Sequence, residues 1–192
     1  MKNLILASGS PRRKMLMEWA ELNFVVRVSD VDESYPDGLT PNEVARFIAS
    51  NKNKAVFESL LPSELQESII ISADTIVVLN DEIIGKPVDR DDAISILKKL
   101  SSQKHAVITA VHIRSIHNEI SFTETTTVHF HSITNDEIVH YVDLYKPYDK
   151  AGAYAIQEWI GVVGIEKIEG DFYNVMGLPV SKVIKTLNEN FF

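Results

Sequence analysis

Residues 4–19 read LILASGSPRRKMLMEW, and this short stretch gathers what an anion site requires. Ser10 suits the N-cap of a helix and Pro11 its first turn, which leaves free backbone N–H groups facing the preceding loop. Such a helix start attracts anions, and Ser8, Gly9 and Ser10 are small enough to let a ligand reach the backbone. Arg12 and Arg13 add forked donors matched to phosphate oxygens. The glycine–lysine spacing of a P-loop is absent. Two cations in a first turn run against the helix dipole, which a phosphorylated ligand would offset. The alternative is a capped helix with solvated arginines, and the residues leave both readings open.

Asp74 is the second candidate. It follows the apolar run SIIISA, where a buried strand would emerge, and α/β sheets bind ligands at strand ends. An aspartate there suits Mg²⁺, which takes one or two carboxylates plus substrate phosphates, or it can deprotonate a water. The competing reading is a turn residue before a hairpin, which spacing by itself favours. Glu33 in DVDES offers a second carboxylate. Lys52, Lys86 and Lys150 each stand among small residues and suit phosphate, although solvated lysines are the default. Gln157 closes the turn KAGAYAIQ with an amide fit for the edge of a base. His129 and His131, two apart on an expected strand, point to one face without a third ligand at metal-site spacing. No Gly-x-Ser-x-Gly elbow is present.

The elements that must position these residues alternate between strand and helix, which predicts an α/β fold. A short buried strand spans 3–7 and a helix 11–20, with Met15, Leu16 and Trp19 on one face. A strand follows at 23–30. Thr40-Pro41-Asn42-Glu43 has the form of a capping box and opens a helix of about four or five turns. Residues 68–79 form a buried strand, and Asp89 caps a helix carrying Ala93, Ile94, Leu97 and Leu100. Two β-rich stretches, 105–115 and 121–132, lead to a second capping box at Thr134–Glu137, whose helix presents Ile138, Tyr141, Val142 and Tyr145. A turn at 150–157, a strand at 160–168 and a helix from near Pro179 complete the chain.

The totals narrow the function. The chain has 192 residues, enough for one domain with a sizeable core. No apolar run approaches the roughly 20 residues of a bilayer span. The N-terminus reaches Pro11 and Arg12 too early for a secretory signal. There is no cysteine, which excludes disulfides, thiolate metal sites and cysteine nucleophiles. These features lead us to expect a cytoplasmic protein with no membrane partner. The net charge of −8 argues against a nucleic-acid binder, which needs spread lysines and arginines. An acidic chain that binds a small anion must gather its basic residues at one place.

In order, LASGSPRR, SADTIVV, GKP, HAVITAV, DKAGAYAIQ and GDFYNVMGLP resemble the motifs of Maf proteins, nucleoside triphosphate pyrophosphatases, from about Leu4 to Lys185. The resemblance implies a single Maf-like domain over 1–192 with an inosine-triphosphate-pyrophosphatase-like α/β fold. In that fold a long mixed β-sheet is flanked by helices, and two lobes surround a central cleft. It further implies hydrolysis of a nucleoside triphosphate to the monophosphate and pyrophosphate, dependent on a divalent cation (Mg²⁺ or Mn²⁺), in a homodimer. Ser8, Arg12 and Arg13 match the family's phosphate loop and Asp74 its catalytic acid–base. Glu33, Lys52 and Lys86 match polar residues of its cleft, and from their carboxylates we expect Asp74 and Glu33 to hold the cation. Arg12, Thr75 and Gln157 match positions used to select the base.

Tyr154-Ala155-Ile156-Gln157 fits the Tyr-x-Ile-Gln pattern of the branch acting on dTTP and UTP. The 7-methyl-GTP branch carries an acidic residue in place of the glutamine. A glutamine amide offers a donor and an acceptor to the O4/N3–H edge of thymine and uracil, and such pairing can reject other bases. Modified pyrimidine nucleotides fall within the same expectation. A nucleotide-sensing regulator of cell division that binds without turnover is the rival from another class. Three departures from the family pattern are visible. Ser101-Ser102-Gln103-Lys104 replaces Ser-Gly-Arg-x, Asn53 stands where alanine commonly follows the cleft lysine, and Ala155 replaces a glycine before Ile156.

Overall fold

The computed structural model describes residues 2–192. The chain runs β1 (Asn3–Leu6), α1 (Pro11–Trp19), β2 (Phe24–Val26), α2 (Pro41–Ser59), α3 (Pro62–Glu67), β3 (Ser68–Leu79) and β4 (Glu82–Ile84). It continues with α4 (Arg90–Leu100), β5 (Lys104–Arg114), β6 (Glu119–Phe130) and α5 (Asn135–Tyr145). After a 3₁₀ turn at Ala151–Ala153 come α6 (Trp159–Gly164), β7 (Ile165–Glu169), α7 (Phe172–Met176) and α8 (Val180–Asn190). Helix starts fall where side chains satisfy otherwise unpaired N–H groups. Ser10, Thr40, Asp89 and Thr134 each accept from the backbone three residues on. At Thr40 and Thr134 the glutamate returns a bond to the cap's own N–H, completing both expected boxes.

The seven strands of the described residues form one mixed sheet in the order β2-β1-β3-β5-β6-β7, with β4 also on β3. β1 lies parallel to β2 and to β3, whereas β3/β4 and β6/β7 are antiparallel. Every β3 residue except Thr75 is buried. Burial of both faces is why its sequence reads as a continuous apolar run rather than an alternating one.

The chain divides into two compact units. One holds the chain up to Asp74, Thr109–Glu124 and Gly177–Phe192. Ile5, Ala7, Val56, Leu60 and Ile70 form a core cluster there, with Phe57 and Leu65 against it. The other holds Thr75–Ile108 and Thr125–Met176. Within it Phe130, His105 and Tyr154 meet edge to face at centroid distances of 5.0–5.4 Å. Arg90 binds Asp143 through two bonds of 2.6 and 2.9 Å, joining α4 to α5.

Several expectations change. The strand expected at 23–30 is only Phe24–Val26, because its partner β1 offers registered residues only from Leu4 to Leu6. Residues 160–168 are not one strand but α6 followed by β7. Trp19 is 61% exposed, and α1 instead buries Arg13, Leu16 and Met17, a helical i, i+3, i+4 set. His131 lies beyond the end of β6 and is exposed, so it does not share a strand face with His129. α3 and α7 fill segments where the sequence reading assigns no element.

Candidate active site

The arginine loop is built from the start of α1. Ser10 donates its N–H to Ser8 Oγ (3.2 Å) and accepts from the Arg13 N–H (3.5 Å). Arg13 occupies the core-facing side of α1, and its side chain turns back to the loop. It donates from Nη1 to Ser8 Oγ at 3.1 Å and from Nε to the Gly177 carbonyl at 2.8 Å. Arg13 is therefore not a solvated arginine; it is 8% exposed. Burial lowers its pKa from the ordinary arginine value, the charges of Asp74 and Glu33 oppose that shift, and neighbouring Arg12 adds to it. Arg12 is half-buried.

Asp74 lies inside β3 rather than at its end. The strand that ends beside it is β1, whose register with β3 stops at Leu6↔Ile71, extended only by the Ala7 N–H bond to the Ile71 carbonyl. A carboxylate three residues past that point stands where the neighbouring strand has turned away into α1. Lys52, on α2, bridges the acids: its Nζ is 2.7 Å from Asp74 Oδ1 and 2.7 Å from Glu33 Oε1. The side chains of Lys52 and Asp74 are 17% and 11% exposed, while that of Glu33 is 43% exposed.

A buried polar seam fixes α2 on β3 beneath this bridge. Ser72 Oγ donates to the Ala49 carbonyl at 2.7 Å, and Asn53 Nδ2 donates to the carbonyls of Ile70 and His112, each at 3.1 Å. Asn53 is fully buried and its Oδ1 has no hydrogen-bond partner among the described residues. Ser72 precedes Asp74 by two positions and Asn53 adjoins Lys52, so the seam sets the register that brings lysine to aspartate. The one sequence signal for it is a polar residue where the resemblance implies alanine.

Ser8, Arg12, Arg13, Glu33, Lys52 and Asp74 thus belong to one unit. Thr75, Lys86 and Gln157 belong to the other. Thr75 is half-buried on β3, Lys86 is exposed after β4, and Gln157 is the exposed residue that ends the buried run Gly152–Ile156. Lys150, expected to be solvated, is buried, with Nζ 2.7 Å from Asp149 Oδ1 and 3.6 Å from Glu158 Oε1. Tyr141 and Glu158, which the sequence reading assigns no part in a site, hydrogen-bond to each other beside Gln157.

The donor set of the first unit is chemically uniform. Two carboxylates converge on one ammonium, beside a buried guanidinium. The described residues contain no cluster of three or more His, Asp or Glu side chains, so a protein-only metal cage is absent among them. Two carboxylates with substrate oxygens nonetheless make the kind of oxygen shell that Mg²⁺ takes, and Asp74 and Glu33 fit that requirement.

Mixed sheet and cation–carboxylate bridge together define an α/β protein that concentrates opposite charges beside the end of a strand. The chain belongs to the Maf family: a family model described as Maf-like protein matches residues 3–190. A dTTP/UTP pyrophosphatase of Cytophaga hutchinsonii is 47% identical over 189 residues, covering 98% of this chain and 84% of that protein. A dTTP/UTP pyrophosphatase of Bacteroides fragilis is 46% identical, covering 97% of this chain and 95% of that protein. The solved structure of the Staphylococcus aureus Ham1 protein aligns with a TM-score of 0.45 and 16% identity, over 67% of this chain and 72% of that one.

Proposed function

We propose that this protein hydrolyses dTTP and UTP, and modified pyrimidine nucleotides of the same shape, to the nucleoside monophosphate and pyrophosphate. Relatives above 40% identity that span nearly the whole chain carry that activity in their names. The single observation that carries the reading is the Lys52 bridge between Asp74 and Glu33.

In this mechanism Asp74 accepts the proton of a water attacking the α-phosphorus in line, and pyrophosphate leaves. Ser8, Arg12, Arg13 and the N–H groups at the start of α1 bind phosphate oxygens, with Lys52 and Lys86 adding positive charge as the leaving group forms. Thr75, Arg12 and Gln157 read the base. Asp74 and Glu33 would hold Mg²⁺ or Mn²⁺, which when bound neutralises phosphate charge and lowers the pKa of water. The same reading takes the protein as a cytoplasmic homodimer working on free nucleotides, without nucleic-acid or membrane partners. Among the described residues no helix is long and apolar enough to cross a membrane.

The test is a panel of standard and modified nucleoside triphosphates with Mg²⁺, scored for monophosphate and pyrophosphate. Preferred turnover of dTTP and UTP is expected, falling about 10²- to 10⁴-fold in Asp74→Asn. Binding without turnover would make the protein a nucleotide sensor instead. A preference for 7-methyl-GTP would overturn the substrate assignment.

A further inference from the structure

Gln157 is exposed at the end of the buried run Gly152–Ile156. A flexible amide in that position would bind many hydrogen-bonding edges, because discrimination requires that the wrong partner be unable to find a second geometry. Selectivity therefore depends on how firmly the backbone beneath Gln157 is held.

One hydroxyl holds both flanks of that turn, the backbone at Ala155 and the side chain at Glu158. Tyr141 Oη accepts the Ala155 N–H at 3.2 Å and donates to Glu158 Oε2. Residues 155 and 158 flank the turn holding Gln157, and the Glu158 N–H also closes onto the Ala155 carbonyl at 3.1 Å. A phenol supplies both the donor and the acceptor this requires from a single oxygen atom. Tyr141 is fully buried. Burial and the Glu158 carboxylate both raise its pKa well above the ordinary tyrosine value, so the donor proton is retained throughout the neutral range.

The grip is itself anchored. Tyr141 stacks on Tyr145 at 5.0 Å, α5 begins in the Thr134–Glu137 capping box, and Asp143 ties the helix to Arg90. Glu158 is held in turn by Lys150. On the far side His105 Nε2 meets the Tyr154 hydroxyl at 2.7 Å, fixing the residue before Ala155.

We infer that Tyr141 is a specificity-positioning residue, whose hydroxyl holds the 155–158 turn so that the Gln157 amide meets a base in one orientation. This rests on the reading of Gln157 as a base contact. It makes base selectivity a property of a helix residue that touches no substrate.

The experiment compares kcat/KM for dTTP with that for dCTP and dGTP in wild type, Tyr141→Phe, Glu158→Ala, Gln157→Ala and the double variant Tyr141→Phe/Gln157→Ala. Urea melts establish that each is folded. Tyr141→Phe is expected to lower the dTTP preference about tenfold, mainly through KM for dTTP. In the Gln157→Ala background it should lower the preference no further. Glu158→Ala removes the other arm of the grip and provides the same readout if Tyr141→Phe does not fold. A folded Tyr141→Phe with wild-type preference, or an equal loss in both backgrounds, overturns the inference while leaving Gln157 as a base contact. Unchanged preference in Gln157→Ala overturns the base contact itself.

Discussion

Lys52 on α2 and Asp74 on β3 meet at 2.7 Å, and the same ammonium holds Glu33 at 2.7 Å. Lys52 thus bridges the two acids, and a divalent cation held by both would share the work of balancing their charge. Lys52→Met should therefore strip the two carboxylates of the ammonium they share, with Asp74 only partly solvated. We expect a stability loss of about 2 kcal/mol, between the values for exposed and buried pairs. Millimolar Mg²⁺ should raise the Tm of this variant more than that of wild type, since a ligand stabilises by its affinity for the folded state. Thermal melts with and without Mg²⁺ check both. An equal Mg²⁺ response in the two proteins would separate these carboxylates from metal binding.

The seam beneath the bridge predicts a second outcome. Asn53→Ala removes two bonds to the Ile70 and His112 carbonyls but also relieves the unpartnered Asn53 Oδ1. The opposing effects leave a net cost of about 1 kcal/mol. Register matters more than stability here, so kcat should fall by more than the urea midpoint suggests. Ser72→Ala, which frees the Ala49 carbonyl from its side-chain donor, should couple with Asn53→Ala in a double-mutant cycle.

Local signals located most elements. The caps at Thr40 and Thr134 and the apolar run at 68–79 mark α2, α5 and β3 within a residue or so. Tertiary context decided the rest. Val162 and Val163 suggest strand by composition, yet they are 80% and 41% exposed in or beside a helical turn. Gly161 is the cause: a Cβ there would come within 1.8 Å of the Ile156 carbonyl oxygen, so this backbone lies against the turn before it. The sequence reading puts Asp74 where its own strand emerges, whereas β3 continues to Leu79. It is the neighbouring β1 whose register stops at Leu6, which one segment's pattern does not disclose. The arginine loop was legible from residue types. The Tyr141–Glu158 pair was not, since a tyrosine at helical spacing reads as core until its hydroxyl's partners are known.

Burial makes the protein sensitive to acid at His105. Desolvation, followed by the nearby charge of His129, depresses its pKa from 6.5 to about 4. Above pH 6.5 the ring is neutral in both folded and unfolded chains, and this contribution to stability is complete. As pH falls toward about 4 the unfolded chain takes up a proton that the folded one refuses, and stability is lost. His105→Gln keeps a polar group near Tyr154 but cannot titrate. It should be less stable than wild type near neutrality, with the two stability curves converging across that window. Urea midpoints against pH give the curves, and parallel curves would place the acid sensitivity elsewhere.

Gly152 supplies the last prediction, because it lies under the turn that carries Gln157. Its φ is +71°, and a Cβ would stand 2.9 Å from Val77 Cγ2 and 3.2 Å from Val77 Cγ1. Its N–H also donates to the Gly85 carbonyl at 3.1 Å, which ties this backbone to the residue just after β4. Gly152→Ala thus meets two separate costs: about 1 kcal/mol for a left-handed alanine and about 1–3 kcal/mol for overpacking. Only the second depends on Val77. Val77→Ala should consequently restore part of the stability lost by Gly152→Ala, leaving the backbone share, even though Val77→Ala alone destabilises by opening the core. A cycle of the four proteins measured by urea denaturation separates the two costs. Additive losses would mean that the turn shifts away from Val77 rather than pressing on it, and dTTP selectivity should then fall in Gly152→Ala because Gln157 moves with the turn.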